Sequence, residues 1–296
     1  MDMSQTSEAS RRDPLSFAGF PGNRYSSQVG KFSQPDHSDN PRYFIEFLEL
    51  VDRLSEMRDV RARSFSRMQI QPGACVLDIG CGIGTAVCEM ADLIGQEGRS
   101  CGLDISEAMI AEANARAQGR DNVGFSTGNA YSLSYADAIF DAVRMERVLL
   151  YLRDREKALA EMIRVTKPGG HVVVPDVDFD CTAISGKDRA LTRKMTSLVA
   201  ESCIHPTSGR ELPALLRAAG LEDVVVDFVA VSSPPYEFCV HSTLGALRAA
   251  VEEAKVTSAE VEEWYRGLAE LHASGNFLQL WFFVIVGGTV VKRLLA

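Results

Sequence analysis

The chain has 296 residues, 46% of them hydrophobic, enough for a sizeable core and for one α/β domain with insertions. Its 40 acidic residues outnumber 31 basic ones, giving a formal net charge of −9, so it lacks the basic footprint of a protein that grips phosphate backbones. The seven cysteines are odd in number and include no C-x-x-C pair, which argues against a disulfide framework or a metal site and for a reducing, cytoplasmic setting.

Residues 1–39 are rich in Ser, Asp, Gln, Gly and Pro and read as a flexible N-terminal segment. Phe17, Phe20, Tyr25 and Phe32 would also suit a lid. The first 30 residues hold no basic start followed by an apolar run, so no signal peptide is expected. Over 40–70 a helical cap is predicted. Asn40 is a good N-cap and Pro41 suits the first helical position, and Phe44, Ile45, Phe47, Leu48, Val51 and Leu54 repeat at helical spacing. Arg58, Arg61, Arg63 and Arg67 behind them read as a solvated face.

From Cys75 the pattern alternates. Strands are predicted near 75–80, 100–105, 123–128, 140–145 and 170–175, with helices near 84–95, 106–118, 154–166 and 209–219, the last stopped by Gly220. The segments 221–231 and 277–287 supply two final strands. The apolar stretch 277–295 falls short of a membrane span because Val, Ile, Phe and Gly-Gly dominate it and Lys292-Arg293 interrupt it. Alternation of this kind means a doubly wound, mostly parallel sheet, here of seven strands. Two helical stretches, 180–208 and 235–275, stand outside it and would roof the carboxyl edge as a substrate cover on the 71–296 domain.

The informative segment is Val76-Leu77-Asp78-Ile79-Gly80-Cys81-Gly82-Ile83-Gly84-Thr85, a buried strand turning through three glycines into a helix. The glycines permit positive φ and close approach of a ligand, and the helix start offers free N–H groups. A second strand ends at Asp104, where an acid can take a ribose diol. A nucleoside-bearing cofactor follows. In a dinucleotide G-x-G-x-x-G pattern the third glycine would fall at Thr85; it stands instead at Gly84.

This acid-x-G-x-G-x-G turn resembles the first motif of the class I S-adenosylmethionine-dependent methyltransferases. Gly102-Leu103-Asp104-Ile105-Ser106, Gly128-Asn129-Ala130, Phe140-Asp141-Ala142-Val143 and Arg164-Val165-Thr166-Lys167-Pro168-Gly169-Gly170 are similar to later segments of that family, in the same order. The resemblance covers roughly 70–180 and implies a Rossmann-like fold, S-adenosyl-L-methionine as cofactor and S-adenosyl-L-homocysteine as product. It implies that Asp78 orders the turn and the cofactor amino group, and that Gly80, Gly82 and Gly84 admit the methionine part. Asp104 would hold the ribose, Ile105 would pack on adenine, and Asn129 and Ala130 would lie at its edge. Asn129 departs from the Asp usual in the family, but an amide still offers a donor and an acceptor. Met145, Glu146 and Arg147 would close the fourth strand where sulfonium and acceptor meet, with Arg147 equally suited to pair with Glu146.

Methyl transfer needs a base only when the acceptor carries a proton. His205, in a Cys-Ile-His-Pro-Thr loop, is the first candidate, followed by Asp176 and Glu146. Asp176, Asp178 and Asp180 share one face of an extended chain. His241 is a further roof candidate, and His171 reads as structural. Ser233-Pro234-Pro235-Tyr236 is similar to the signature of amino-group methyltransferases but lies too far downstream, and reads as a turn. The segment order and the Glu146-Arg147-Val148-Leu149 run resemble the subfamily of quinone and secondary-metabolite methyltransferases. That resemblance implies a small, largely apolar acceptor, aromatic, polyketide or isoprenoid-derived, with Phe179, Tyr236, Phe238, Trp264, Tyr265, Trp281 and Phe282 available to line its pocket. No nucleic-acid partner is expected, and a homodimer is left open. The alternatives are a macromolecule methyltransferase, and a protein that keeps the cofactor as scaffold for cyclisation or rearrangement.

Overall fold

The computed structural model describes Asp36, residues 42–232 and residues 236–291. The expected lid, the Asn40-Pro41 helix start and the Ser233-Pro234-Pro235 turn lie outside the described residues, Asp36 excepted. The strands are short apolar runs cut off by glycine or by helix caps. They are β1 (Cys75–Ile79), β2 (Arg99–Asp104), β3 (Val123–Thr127), β4 (Phe140–Met145), β5 (Thr166–Val177), β6 (Ala183–Ile184), β7 (Leu221–Ser232) and β8 (Gln279–Val290). They form one eight-stranded sheet in the order β3-β2-β1-β4-β5-β8, with β7 on the far side of β8 and β6 extending the β5 side. Only β8 runs against the others. The eighth strand, β6, is two residues long, too short for any alternation to announce it. β5 starts at Thr166, earlier than expected: Thr166 pairs with Phe140, and a register shift absorbs the Lys-Pro-Gly-Gly turn before His171 pairs with Ala142.

Several helices have a local reason for their start. Ser106 caps α4 (Glu107–Arg116) by accepting from Met109 N, and Asp154 caps α5 (Arg155–Val165) through Lys157 N. Asp188 caps α6 (Arg189–Ala200), and a Thr257/Glu260 capping box opens α9 (Ser258–Ala273). α3 (Thr85–Ile94) is bracketed by Gly84 and Gly95. On one face of the sheet, α2 (Ser55–Met68) and α3 pack with Val76, Ala142, Val173, Phe283 and Ile285. On the other, α5 and α7 (Ser208–Ala218) enclose Leu77, Val143, Val172, Val174 and Val286. Strand order reverses between β1 and β4, which places the ligand crevice at their carboxyl ends.

Above that crevice α6, α8 (Tyr236–Glu252) and α9 share a separate apolar core through Met195, Cys239, Leu247, Trp264, Tyr265 and Leu268. α1 (Arg42–Asp52) leans on it: the Tyr43 hydroxyl donates to His241 O at 2.8 Å. Phe238 ties this layer to the sheet, stacking on Phe47 at 5.7 Å and meeting Trp281 edge-on at 4.7 Å. No helix of the described residues is long and apolar enough to cross a membrane. Phe238 is fully buried, so Phe238→Ala is expected to destabilise the protein by about 3–5 kcal/mol in denaturant unfolding. A loss below about 1 kcal/mol would mean that the helical layer does not depend on this anchor.

Candidate functional site

The glycine turn after β1 is folded back onto β2. Gly80 N and Cys81 N both donate to Leu103 O, at 2.7 and 3.1 Å, and Gly82 N donates to the Asp104 carboxylate at 2.8 Å. Gly80, Gly82 and Gly84 all take positive φ, 72°, 52° and 81°, where a side chain is strained. Space forbids one as well: a Cβ on Gly80 would lie 2.3 Å from Val148 Cγ2. The other Asp104 oxygen accepts from Ser106 N at 3.0 Å. One lone pair on each oxygen is thus spent on backbone, leaving the rest for hydroxyls. Burial raises the Asp104 pKa, against the pull of the Ser106, Gly82 and Ile105 amides. Asp36 accepts from Ser106 Oγ and Glu107 N at 2.5 and 2.7 Å, which places its carboxylate at the start of α4.

A cavity of about 720 Å³ opens here. Asp78, the three glycines, Asp104, Ile105, Asn129 and Ala130 line one end. Ile105 keeps half its surface exposed, an apolar platform beside an acid. Asn129 Oδ1 accepts from Tyr131 N at 2.9 Å, which fixes the amide and leaves its NH2 as a donor toward the cavity. The other end is walled by Phe47, Leu48, Phe179, Val199, Ile204 and Trp281, with Tyr151, Ser202, Cys203, His241 and Ser242 among them.

Beneath the turn lies a buried ionic network of which the sequence suggested only the Arg147–Glu146 pair. Arg144 of β4, 1% exposed, donates to Asp78 Oδ1 and Ser64 Oγ at 3.0 Å each and also to Glu146. Arg147 Nε holds the other Glu146 oxygen at 3.1 Å, its backbone turned to φ 53° with its N–H on Pro175 O. Burial lifts Asp78 to about 6, opposed by Arg144, whose ion pair favours the ionised carboxylate. Glu146 goes the other way: Arg144, Arg147 and Arg61 overcome its burial and lower its pKa. Arg61, expected on a solvated face, is instead 5% exposed, and it joins Glu89 at 2.8 Å and Asp52 at 3.0 Å. Asp52 in turn accepts from Thr85 Oγ1 at the start of α3.

The expected catalytic groups fare differently. Asp176 is not in the cavity wall. It is fully buried and accepts from Leu150 N, Val177 N and Ser208 Oγ, burial raising its pKa to about 7. It fastens β5 to α7, as Asp178 does through Arg210 at 2.7 Å. His205 also stays out of the wall, its Nε2 2.9 Å from Leu152 O and its N–H on Leu150 O. Glu146 lines the cavity but is clasped by two arginines. Met145 is fully buried in the opposite core. Among the aromatic candidates Phe179 and Trp281 reach the wall, whereas Phe238, Trp264 and Tyr265 are packed inside. His241 is the one histidine in the wall among the described residues. Its ring stacks on Tyr43 at 6.0 Å, and burial lowers its pKa against the charges of Glu46 and Glu237.

A parallel sheet with a glycine cradle, a diol-ready acid and an apolar platform at the β1/β4 crevice defines a Rossmann-like nucleoside-cofactor site. A family model described as a methyltransferase domain matches residues 70–220, and the chain belongs to that family, whose methyl donor is S-adenosylmethionine. It is 33% identical over 191 residues to a demethylmenaquinone methyltransferase of Geobacillus stearothermophilus, covering 59% of this chain and 79% of that one. It is 26% identical over 201 residues to the methyltransferase GfsG of Streptomyces halstedii, covering 67% and 71%. The chain spans 55% of the length of another curated relative, from Streptomyces fradiae. The fold is shared with the [4+2]-cyclase SpnF at a TM-score of 0.51 and 23% identity, over 79% of this chain and 82% of that one.

Removing Arg144 would strand the buried Asp78 and leave Glu146 to Arg147 alone. Arg144→Ala is expected to destabilise the protein by about 3–5 kcal/mol, read by denaturant unfolding at pH 7. Near-native stability would show that Asp78 and Glu146 do not need the guanidinium.

Proposed function

We propose that the protein transfers a methyl group from S-adenosylmethionine to a small, largely apolar metabolite, aromatic, polyketide or isoprenoid-derived. The observation that carries this reading is the single cavity joining the glycine cradle to a compartment walled by Phe47, Phe179, Val199, Ile204 and Trp281. Bound S-adenosylmethionine supplies an electrophilic methyl group on a sulfonium. Asp104 would take the ribose hydroxyls with its remaining lone pairs, and Ile105 would carry the adenine. The Asn129 NH2 would donate to a ring nitrogen, with Ala130 beside it. Gly80, Gly82 and Gly84 would let the methionine part lie on backbone. Asp78 and Glu146, held ionised by Arg144 and Arg147, would put negative charge on the floor under a cationic ligand. The helical layer of α6, α8 and α9, with α1, would act as the cover that excludes water from an in-line displacement.

Among the described residues the carboxylates in the wall, Asp52, Asp78, Asp104 and Glu146, are engaged with arginines or backbone amides. His241, whose imidazole lines the cavity and is favoured in its neutral form by burial, is the group we assign to remove a proton from an acceptor hydroxyl, in place of His205 and Asp176. Use of the cofactor as scaffold for cyclisation is the second reading, supported by a fold shared with a cyclase. Formation of S-adenosylhomocysteine in step with product separates the two.

Asp104→Ala should weaken S-adenosylhomocysteine binding by about 1.5–3 kcal/mol, the worth of hydrogen bonds to a charged group. Calorimetry giving an unchanged Kd would remove Asp104 from the site. His241→Gln should lower kcat by roughly 10²–10⁴ and leave that Kd intact. Because burial lowers the His241 pKa, the imidazole is already neutral at pH 7, and kcat should fall only on acidification below its ordinary range. A variant with the parent's kcat and the same acid limb would leave catalysis to proximity alone.

A further inference from the structure

Gln279 opens β8 and pairs with Ile184 of β6 through the backbone. Its side chain shares a face with Trp281, Phe283 and Ile285, which points at the cavity and core and not at solvent. It is fully buried, yet neither its amide oxygen nor its amide nitrogen has a hydrogen-bond partner. Thr182 Oγ1 is orphaned in the same way. Buried polar atoms are almost always paired, with protein, water or ligand, because an unpaired one loses its solvation for nothing.

Both residues face one small compartment of about 10 Å³, bounded also by Ile184, Thr196 and Thr243. The other hydroxyls around it are satisfied locally: Thr196 bonds Arg193 O, Ser242 bonds Cys239 O, and Thr243 bonds Cys239 O and the Tyr265 hydroxyl. The unspent hydrogen-bonding capacity is thus that of Gln279 and Thr182. The compartment holds one water-sized oxygen. Four of its wall residues, Phe179, Val199, Ser242 and Trp281, are also walls of the large cavity, so the two spaces stand back to back. Between them lie the rings of Phe179 and Trp281, in edge contact at 5.5 Å. The compartment thus sits behind that aromatic wall, and an acceptor reaching it would have to displace one of the two rings.

We propose that this compartment is the far end of the acceptor pocket, where Gln279 and Thr182 hydrogen-bond a carbonyl or hydroxyl oxygen carried by the acceptor away from the methylated atom. The inference rests on the small-molecule methyltransferase reading and adds a requirement to it. The acceptor is an elongated apolar molecule with a distal oxygen function. An amide offers one donor and one acceptor, and the threonine hydroxyl offers either, so the subsite takes both kinds of oxygen. It discriminates strongly against analogues that lack one, since those leave its groups unpaired.

The test uses protein saturated with S-adenosylhomocysteine and two matched probe series, para-alkylphenols and para-(ω-hydroxyalkyl)phenols of increasing chain length, titrated by calorimetry. At one chain length the ω-hydroxy member should bind at least about tenfold tighter than its alkyl partner, which is about 1.4 kcal/mol. Gln279→Met, which keeps the volume, should erase that advantage, and Thr182→Val should reduce it. The Kd of S-adenosylhomocysteine should stay unchanged in both variants, which also reports that each is folded. Equal binding of the two series at every length, or an advantage that survives Gln279→Met, would overturn the subsite and leave the compartment to a structural water. Failure of both series on protein that still binds S-adenosylhomocysteine would overturn it while sparing the cofactor site. Failure to bind S-adenosylhomocysteine would instead bring down the methyltransferase reading, and the subsite with it.

Discussion

Arg144 lies inside a strand, where a guanidinium has no access to water, and the carboxyl edge of the sheet is organised around it. Desolvating such a group is expensive unless its charge is matched and its donors are used. Here Asp78 and Glu146 match the charge and Ser64 takes a further N–H. The consequence is geometric. Asp78 precedes the glycine turn and Glu146 follows β4, so one side chain ties together the carboxyl ends of the two paired strands beneath the crevice. Arg147 and Arg61 extend the same logic outward, to Glu146, Glu89 and Asp52. The floor and the start of α3 thereby gain charged ties in addition to the backbone hydrogen bonds and apolar contacts of the turn.

Apolar packing does the complementary work above. The Met195, Trp264 and Tyr265 cluster makes α6, α8 and α9 one body. Phe238 and Trp281 then seat that body on β8, and Tyr43 grips α8 from α1. The lower half of the cavity is therefore rigid in its electrostatics, while the upper half is a set of rings and small hydroxyls whose rearrangement changes shape without moving charge. A small acceptor can be accommodated above without disturbing the ionic floor.

Much of the lower half was legible in the residues. Three glycines at alternate positions after an apolar run have few uses other than a turn through positive φ, and the strand-helix alternation from Cys75 fixed which edge the turn would occupy. The acids were harder. A two-residue spacing shows that Asp176 and Asp178 share a face, but not that the face belongs to the N-terminus of α7, which absorbs both through Ser208 and Arg210. His205 has the right loop and the wrong neighbour, the Leu152 carbonyl. Arg144 left a signal that went unread: a charged residue amid Ala142, Val143 and Met145 must have buried counter-charges, and Asp78 and Glu146 were at hand. The aromatics of α9 could not be sorted by periodicity, since a helix that packs on other cover helices and one that lines a cavity show the same apolar stripe. Gln279 left no trace at all, because one amide at the start of a strand carries no pattern.

The family match spans residues 70–220, and α8 and α9 begin only afterwards. The matched segment therefore holds the glycine turn, Asp104 and α6, whereas His241, Ser242 and Trp281 of the cavity wall lie outside it. The far wall of the cavity is drawn from both sides of that boundary, Phe179, Val199 and Ile204 from within the matched segment and His241 and Trp281 from beyond it. The shape of that wall can therefore be changed from several elements of the chain, with the strand-ends that form the glycine cradle left as they are.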